Sequence, residues 1–220
     1  MASFIQKFLA TRTPKFYFLN KAVGDKRFTL LDVGAGNHSP SKTTTTFPNC
    51  EYHGVDLNKD YAYNIADETA LKGFYEMDLT KLEFSSIPDN YFDYINMAHI
   101  IEHLHNGEDV LAGLTKKLKA GGYIYIEYPG KQSTKLPSMY GTLNYYDDPT
   151  HVRIYSYNEI GDILSRNGFS VLSKGMRRSW FYILLMPLRI LSFWLRGKRL
   201  HANIFWDVLG FAEYVYARKN

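Results

Sequence analysis

The sequence predicts an α/β fold organised on a mostly parallel β-sheet, and three observations lead there. Phe28 to Asn37 (FTLLDVGAGN) is a run of bulky apolar residues that ends in an acid and then alternates glycine. Such a run reads as a buried parallel strand whose tip turns sharply, leaving backbone N–H groups to face a ligand. Short apolar runs carrying an acid recur at Tyr52–Leu57, Phe74–Leu79, Tyr91–Ala98 and Gly121–Pro129. Polar, helix-prone or loop segments separate them, which implies right-handed crossovers between parallel strands.

Taken in order, residues 1–27 mix Phe4, Phe8, Phe16, Tyr17 and Phe18 with Lys7, Arg12, Lys15 and Lys21, a spacing that predicts an amphipathic helix broken near Pro14 and covering the sheet edge. After the first strand, Gly34 and Gly36 lack the Cβ atoms that would hold a ligand off the backbone, and Asp32 offers a carboxylate to a cation. Ser39 is the expected cap of the first crossover helix and Pro40 its first-turn residue; the Thr43–Thr46 run should keep that helix short. The second strand ends in Asp56, where nucleotide-binding sheets set a carboxylate against ribose hydroxyls. Pro88-Asp89-Asn90 marks a turn before the fourth strand. A helix over about Gly107–Leu118 carries Val110, Leu111, Leu114 and Leu118 as an apolar stripe, with Gly121 and Gly122 ending it. Residues 131–155 form a long irregular stretch at the carboxyl end of the fifth strand, the edge where open parallel sheets bind ligands. Ser156 and Glu159 read as a capping box for a helix over Tyr157–Leu164. Gly168–Leu172 and Phe211–Ala217 follow as sixth and seventh strands. Between them, residues 180–207 are intensely apolar yet contain Pro187 and Arg189, too short and interrupted to span a bilayer. They read either as a helical insertion packed on the domain or on a second copy in a homodimer, or as an interfacial helix over 180–199 bounded by Trp180, Trp194, Arg196, Lys198 and Arg199.

The 220 residues suit one sizeable core, so a single domain is expected. A 45% hydrophobic content and a mean hydropathy of -0.29 are those of a folded soluble chain. A net charge of +4 permits an anionic partner, but no basic patch interleaved with aromatics runs along one element, which disfavours nucleic acid. The one cysteine, Cys50, excludes an intramolecular disulfide and a multi-cysteine zinc site. The start at Met1-Ala2-Ser3 lacks a signal-peptide pattern, so a cytoplasmic location is expected.

Several ordered motifs then combine: the Asp32-Val33-Gly34-Ala35-Gly36 loop, the Phe92-Asp93 strand, the Ile100-Ile101-Glu102-His103 turn and the Leu118-Lys119-Ala120-Gly121-Gly122 strand entry. From Phe28 to Phe169 the chain resembles the class I S-adenosylmethionine-dependent methyltransferases, in particular their small-molecule branch. His38 stands where that family often has a third glycine, and Ala120 where a proline usually precedes the double glycine. The resemblance implies a Rossmann-like, seven-stranded, mostly parallel sheet with helices on both faces and an antiparallel last strand. It implies one domain over 1–220, with 1–27 as a helical cap, 131–155 as an acceptor-side loop and 180–207 as an apolar insertion. S-adenosyl-L-methionine would be the cofactor. Asp32, Gly34, Ala35 and Gly36 would line its methionine part, Asp56 and Leu57 its ribose, Asp78 and Leu79 its adenine, with Ala98 at the strand end nearby. For Asp78 the alternative is a turn cap.

The implied reaction is transfer of a methyl group to a small-molecule acceptor, an oxygen on a sugar, polyketide or lipid-linked substrate. His151, within a Asp148-Pro149-Thr150-His151 segment like one in bacterial sugar and secondary-metabolite methyltransferases, is the candidate base, with His99 second. Asp148, Arg153 and Tyr146 are candidates for acceptor binding, and Arg153 is also suited to a surface salt bridge. Two other readings stand beside this one. His99-Ile100-Ile101-Glu102-His103 fits an H-x-x-E-H pattern that on a helix would hold zinc in a hydrolase, although no third ligand shows a familiar spacing. A catalytically silent methyltransferase-like binding module would keep the cofactor without a reachable acceptor.

Overall fold

A computed structural model of the chain describes residues 4–59 and 64–220. Residues 1–3 of the expected cap, the start of the segment judged unlike a signal peptide, lie outside the described residues. Among the described residues seven strands form one sheet: β1 (Phe28–Val33), β2 (Cys50–Asp56), β3 (Leu71–Glu76), β4 (Phe92–Ala98), β5 (Leu118–Pro129), β6 (Phe169–Met176) and β7 (Ala212–Lys219). Their order is β3-β2-β1-β4-β5-β7-β6, and β7 pairs antiparallel with both of its neighbours while the other pairs are parallel. The order turns back between β1 and β4, and outside the carboxyl ends of strands at such a point open α/β sheets bind their ligands.

The strand period of two sorts each strand's side chains onto two covered faces. Leu31, Val33, Ile95, Met97, Ile124 and Ile126 meet the apolar stripes of α5 (Gly107–Thr115) and α6 (Tyr157–Arg166). Leu30, Tyr52, Tyr94 and Tyr125 meet Phe18, Leu19 and Val23 of α2 (Pro14–Val23), which follows α1 (Phe4–Ala10). The predicted break at Pro14 thus holds, with Pro14 in the first turn of α2. The first crossover, α3 (Ser39–Thr46), is short as expected; a second helix, α4 (Ile65–Ala70), precedes β3.

Three boundaries differ from the sequence reading. Ser39 is not the cap of α3: His38 occupies that position with φ 58, and the Ser39 hydroxyl donates to Asp32 instead. Gly121 and Gly122 do not end α5, which stops at Thr115, but lie inside β5 where its register with β4 shifts. A Cβ on Gly122 would come within 2.9 Å of the Lys119 carbonyl, and Gly121 has φ 77, so this bend needs both glycines. Ser156 does cap α6, accepting from the Glu159 N–H, but the Glu159 carboxylate pairs with Arg153 rather than closing a box.

The apolar insertion folds as α7 (Trp180–Leu184), α8 (Met186–Leu195) and α9 (Trp206–Leu209). Pro187, in the first turn of α8, separates the first two because its ring removes an N–H that one continuous helix would need. No side chain of α7 or α8 is buried. α7 sits on the N-terminal segment: Tyr182 donates to the Leu9 carbonyl at 2.9 Å, Ser179 to that of Arg12 at 2.8 Å, and the Phe8 and Phe181 rings meet edge to face at 6.0 Å.

Candidate active site

The glycine turn after β1 is built differently from its sequence reading. Gly34 takes φ 77, and a Cβ there would stand 2.0 Å from Ile100 Cδ1, so the missing side chain admits Ile100 from the turn after β4. The Gly34 and Ala35 N–H groups donate to the Val55 carbonyl, at 2.8 and 3.4 Å, rather than standing free. Asn37 and His38 follow with φ 52 and 58, so His38 keeps the left-handed backbone that a third glycine would favour. Its Nδ1 lies 2.6 Å from Asp67, whose carboxylate also takes the Ser41 and Asn64 N–H groups. Burial pushes the Asp67 carboxyl up, but the bonds from His38 and Ser41 outweigh it and hold the pKa at about 2.

Asp32 falls on the α2 side of β1 because Leu31 and Val33 take the other. There it is fully buried and accepts from Tyr52 Oη at 2.6 Å, Lys15 Nζ at 3.3 Å, Ser39 and Asn96. Its carboxylate thus ties β1, β2 and β4 to the start of α2 and α3, with Lys15 as the cation it meets. Asp56, at the tip of β2, is half-buried with Oδ1 accepting from the Leu57 N–H at 2.7 Å; burial raises its pKa. Leu57 is exposed beside it. Asp78 caps a single 3-10 turn over Leu79–Lys81 through the Thr80 N–H and hydroxyl, the turn-cap alternative, and the Leu79 side chain packs in the core. Ala98 ends β4 opposite Glu127 of β5.

His99 follows Ala98 with φ 58, and its N–H donates to the Glu127 carbonyl at 2.7 Å. One ring nitrogen lies 3.4 Å from Glu102 and the other 3.2 Å from Glu127. Burial opposes its charge, but the two carboxylates outweigh burial and hold its pKa up at about 9. The ring is therefore an imidazolium at neutral pH with both nitrogens engaged, which argues against the expected role of His99 as a base. Glu127 is itself pushed up by burial and pulled down further by Arg177 and His99, to about 2. Arg177 continues the chain to Asp207 at 3.6 Å, whose Oδ1 accepts the Ser179 N–H at 2.8 Å. This buried relay of charge ties the 177–207 segment to the sheet end. None of Glu127, Arg177, Asp207 or Asp67 was singled out in the sequence; an acid inside the apolar Tyr123–Pro129 run, and the Asn64-x-x-Asp67 capping pattern, were the available signals.

The end of the 131–155 loop is bonded to the turn after β4. The Val152 and Arg153 N–H groups donate to the Glu102 carbonyl at 2.8 and 3.2 Å, and Asp147 gathers the N–H groups of Leu143 and Asn144 at 3.0 and 2.9 Å. His151 reaches Tyr145 with Nδ1, 2.6 Å from that carbonyl oxygen, which leaves Nε2 for another partner, and a ligand atom of its ring lies within 4.8 Å of one each from Glu102 and His103. Asp148 accepts from the Thr150 N–H and hydroxyl, with Oδ2 3.9 Å from His151 Nε2. Arg153 is committed to Glu159 at 2.6 Å and stacks on Tyr155, the salt-bridge alternative, so it is not a free acceptor ligand. Tyr146 is well exposed. His99 and Glu102 do not lie on one helix face: only Ile101–His103 is helical, as a 3-10 turn, which removes the premise of the hydrolase pattern.

A sheet wound in this order, with a glycine turn after β1, acids at the tips of β2 and β3 and a charged turn after β4, defines the class I S-adenosylmethionine-dependent methyltransferase family. The family model described as a methyltransferase domain matches residues 1–174, and the chain belongs to that family. It is similar to phosphoethanolamine N-methyltransferase 2 of Caenorhabditis elegans, 26% identical over 169 residues that cover 71% of this chain and 36% of the relative. It is likewise similar to the sterol 24-C-methyltransferase of Kluyveromyces lactis, 27% identical over 180 residues, covering 72% of this chain and 44% of that protein. The chain thus spans less than half the length of these curated relatives. Its fold matches a SAM-dependent methyltransferase from Archaeoglobus fulgidus at a TM-score of 0.59 and 20% identity, over 97% of this chain and 94% of the other.

Proposed function

We propose that the chain is an S-adenosylmethionine-dependent methyltransferase that methylates an oxygen of a small, lipid-linked acceptor. The observation that carries this reading is the assembly, at one rim, of the glycine turn, the half-buried Asp56 carboxylate and the Glu102–His103–His151 group, on the fold and family of such enzymes. The residues suit the cofactor: a strand-tip carboxylate such as Asp56 is the acceptor that paired ribose hydroxyls require. When bound, S-adenosylmethionine supplies a methyl carbon already activated by a positive sulfur. The chain's own tasks are then to align the acceptor and to take a proton. Gly34, Ala35 and Gly36 are proposed to border the methionine part through their backbone, Asp56 with Leu57 the ribose, and Asp78 with Leu79 the adenine by way of their turn. Ala98 is proposed to stand beside the transferred group.

An oxygen acceptor is proposed because a hydroxyl needs a base and His151 Nε2 offers a lone pair on this edge. His151 acts as base as long as nothing else occupies that atom. The lipid-linked choice, over a free sugar or polyketide, is supported by the surface beside the site. Ile5, Phe8 and Leu9 of α1 are exposed, as are Trp180, Leu184, Leu188 and Trp194, and α1 meets α7 where Phe8 packs on Phe181. Arg12 and Arg178 line a cavity of about 400 Å³ that Trp180 also borders, and Arg189 lines cavities of about 270 and 630 Å³, the larger together with Lys198. Apolar side chains rimmed by cations match an anionic lipid surface or a phosphate-bearing acceptor. Among the described residues no helix is long and apolar enough to cross a membrane, so the contact would lie in the interface plane. The test is methyl transfer from labelled S-adenosylmethionine to hydroxylated lipid acceptors in anionic vesicles. Product should form with the wild type, and His151→Ala should lower turnover at least about 100-fold with cofactor affinity unchanged. Equal turnover in that variant would remove His151 as the base.

A further inference from the structure

We propose that Glu102, His103 and His151 form a binding site for a first-row divalent cation, for which zinc is the probe. One ligand atom from each of the three lies within 4.8 Å of the other two. The sequence pattern that pointed to zinc chose His99, whose nitrogens are occupied by Glu102 and Glu127; the third ligand is instead His151, 48 positions beyond His103 and carried in by the bonds from Val152 and Arg153 to the Glu102 carbonyl.

In both imidazoles Nδ1 faces oxygens of the loop. His151 Nδ1 lies 2.6 Å from the Tyr145 carbonyl oxygen, and His103 Nδ1 lies 3.2 Å from that of Thr150 and 2.9 Å from its hydroxyl. A neutral ring whose Nδ1–H donates to a carbonyl keeps its lone pair on Nε2, the arrangement that outer partners impose on metal-binding histidines. The third member supplies the charge. Glu102 is 1% exposed, neither carboxylate oxygen has a hydrogen-bond partner, and its ion-pair partner His99 stands 3.4 Å away. Glu127 shares the His99 charge with Glu102, and a cation between Glu102 and the two imidazoles would give the hydrogen-bond-free carboxylate oxygens a second positive partner.

Two nitrogens and one carboxylate oxygen are the donors of open zinc sites and of related first-row metal sites. Ligands about 2.1 Å from zinc stand about 3.4 Å apart, so the three side chains would draw together by roughly 1 Å or a little more. Asp148 Oδ2 stands 3.9 Å from His151 Nε2, outside the set of three. The consequence for chemistry rests on the methyltransferase reading. An acceptor hydroxyl bound at the open position would ionise near neutral pH, its O–H bond breaking and its proton passing to water, while Nε2 of His151 serves as ligand in place of base.

The full chain, stripped with chelator and then freed of it, is titrated with zinc by calorimetry, and S-adenosylmethionine is titrated into the same preparation. The wild type should bind one zinc per chain. His103→Ala and His151→Ala should each weaken zinc at least about 100-fold, beyond the 10–100-fold typical of losing an outer partner, and His103→Gln, which keeps the bulk, should do the same. Absence of zinc binding by the wild type, or equal affinity in folded His103→Gln, overturns the site. Zinc binding that responds to these variants without any binding of S-adenosylmethionine leaves the site standing and removes the methyltransferase reading instead.

Discussion

Replacing Glu127 with glutamine removes one of the two carboxylates that keep His99 charged and also an ion-pair partner of Arg177. Breaking such a buried pair should lower stability by about 3 kcal/mol near pH 6. The pH dependence follows from the directions of the shifts. The pKa of His99 rises from an ordinary 6.5 to about 9 on folding, so its contribution is whole below pH 6.5 and is lost as pH climbs toward 9. The pKa of Glu127 falls from 4.5 to about 2, so its contribution is present above pH 4.5 and is lost as pH drops toward 2. Urea unfolding of the wild type should therefore show stability declining between pH 6.5 and 9, and Glu127→Gln should flatten that decline. An equal slope in both proteins would mean that His99 does not depend on Glu127. The reading of single side chains from sequence failed where backbone geometry reassigns them. Asp32 was legible as an acid at a strand tip, but the strand period turns it toward α2, where Tyr52 and Lys15 take it up.

At the scale of elements, the strands were the most legible part, since parallel strands buried on both faces read as continuous apolar runs. The start of β5 was misplaced because a double glycine signals a helix end as readily as a bend within a strand. The meeting of His151 with Glu102 and His103 could not be read, because it depends on how the 131–155 loop is pinned to the turn after β4. Nor could the joining of α1 to α7, which are far apart in sequence and meet through Tyr182 and Ser179. That joined face makes its own prediction. Trp194 is 75% exposed on α8, so Trp194→Glu should leave the unfolding temperature within about 2 °C of the wild type while lowering sedimentation with anionic vesicles roughly tenfold. Unchanged sedimentation would show that lipid does not meet this face.

Across the whole molecule, two core layers hold seven strands so that their carboxyl ends form one rim, and a charged relay from His99 to Asp207 fastens the apolar insertion beside it. The family and the turn-back of the strand order between β1 and β4 agree on what that rim is for. Calorimetric titration of the full chain with S-adenosylmethionine tests the role of the rim most directly. One molecule should bind per chain, and Asp56→Ala should weaken it by about 2 kcal/mol or more, since a carboxylate bonded to hydroxyls contributes on that order. A wild-type chain that takes up no S-adenosylmethionine, or an Asp56→Ala chain that binds it equally well, would contradict the proposed role of the rim or of Asp56 respectively.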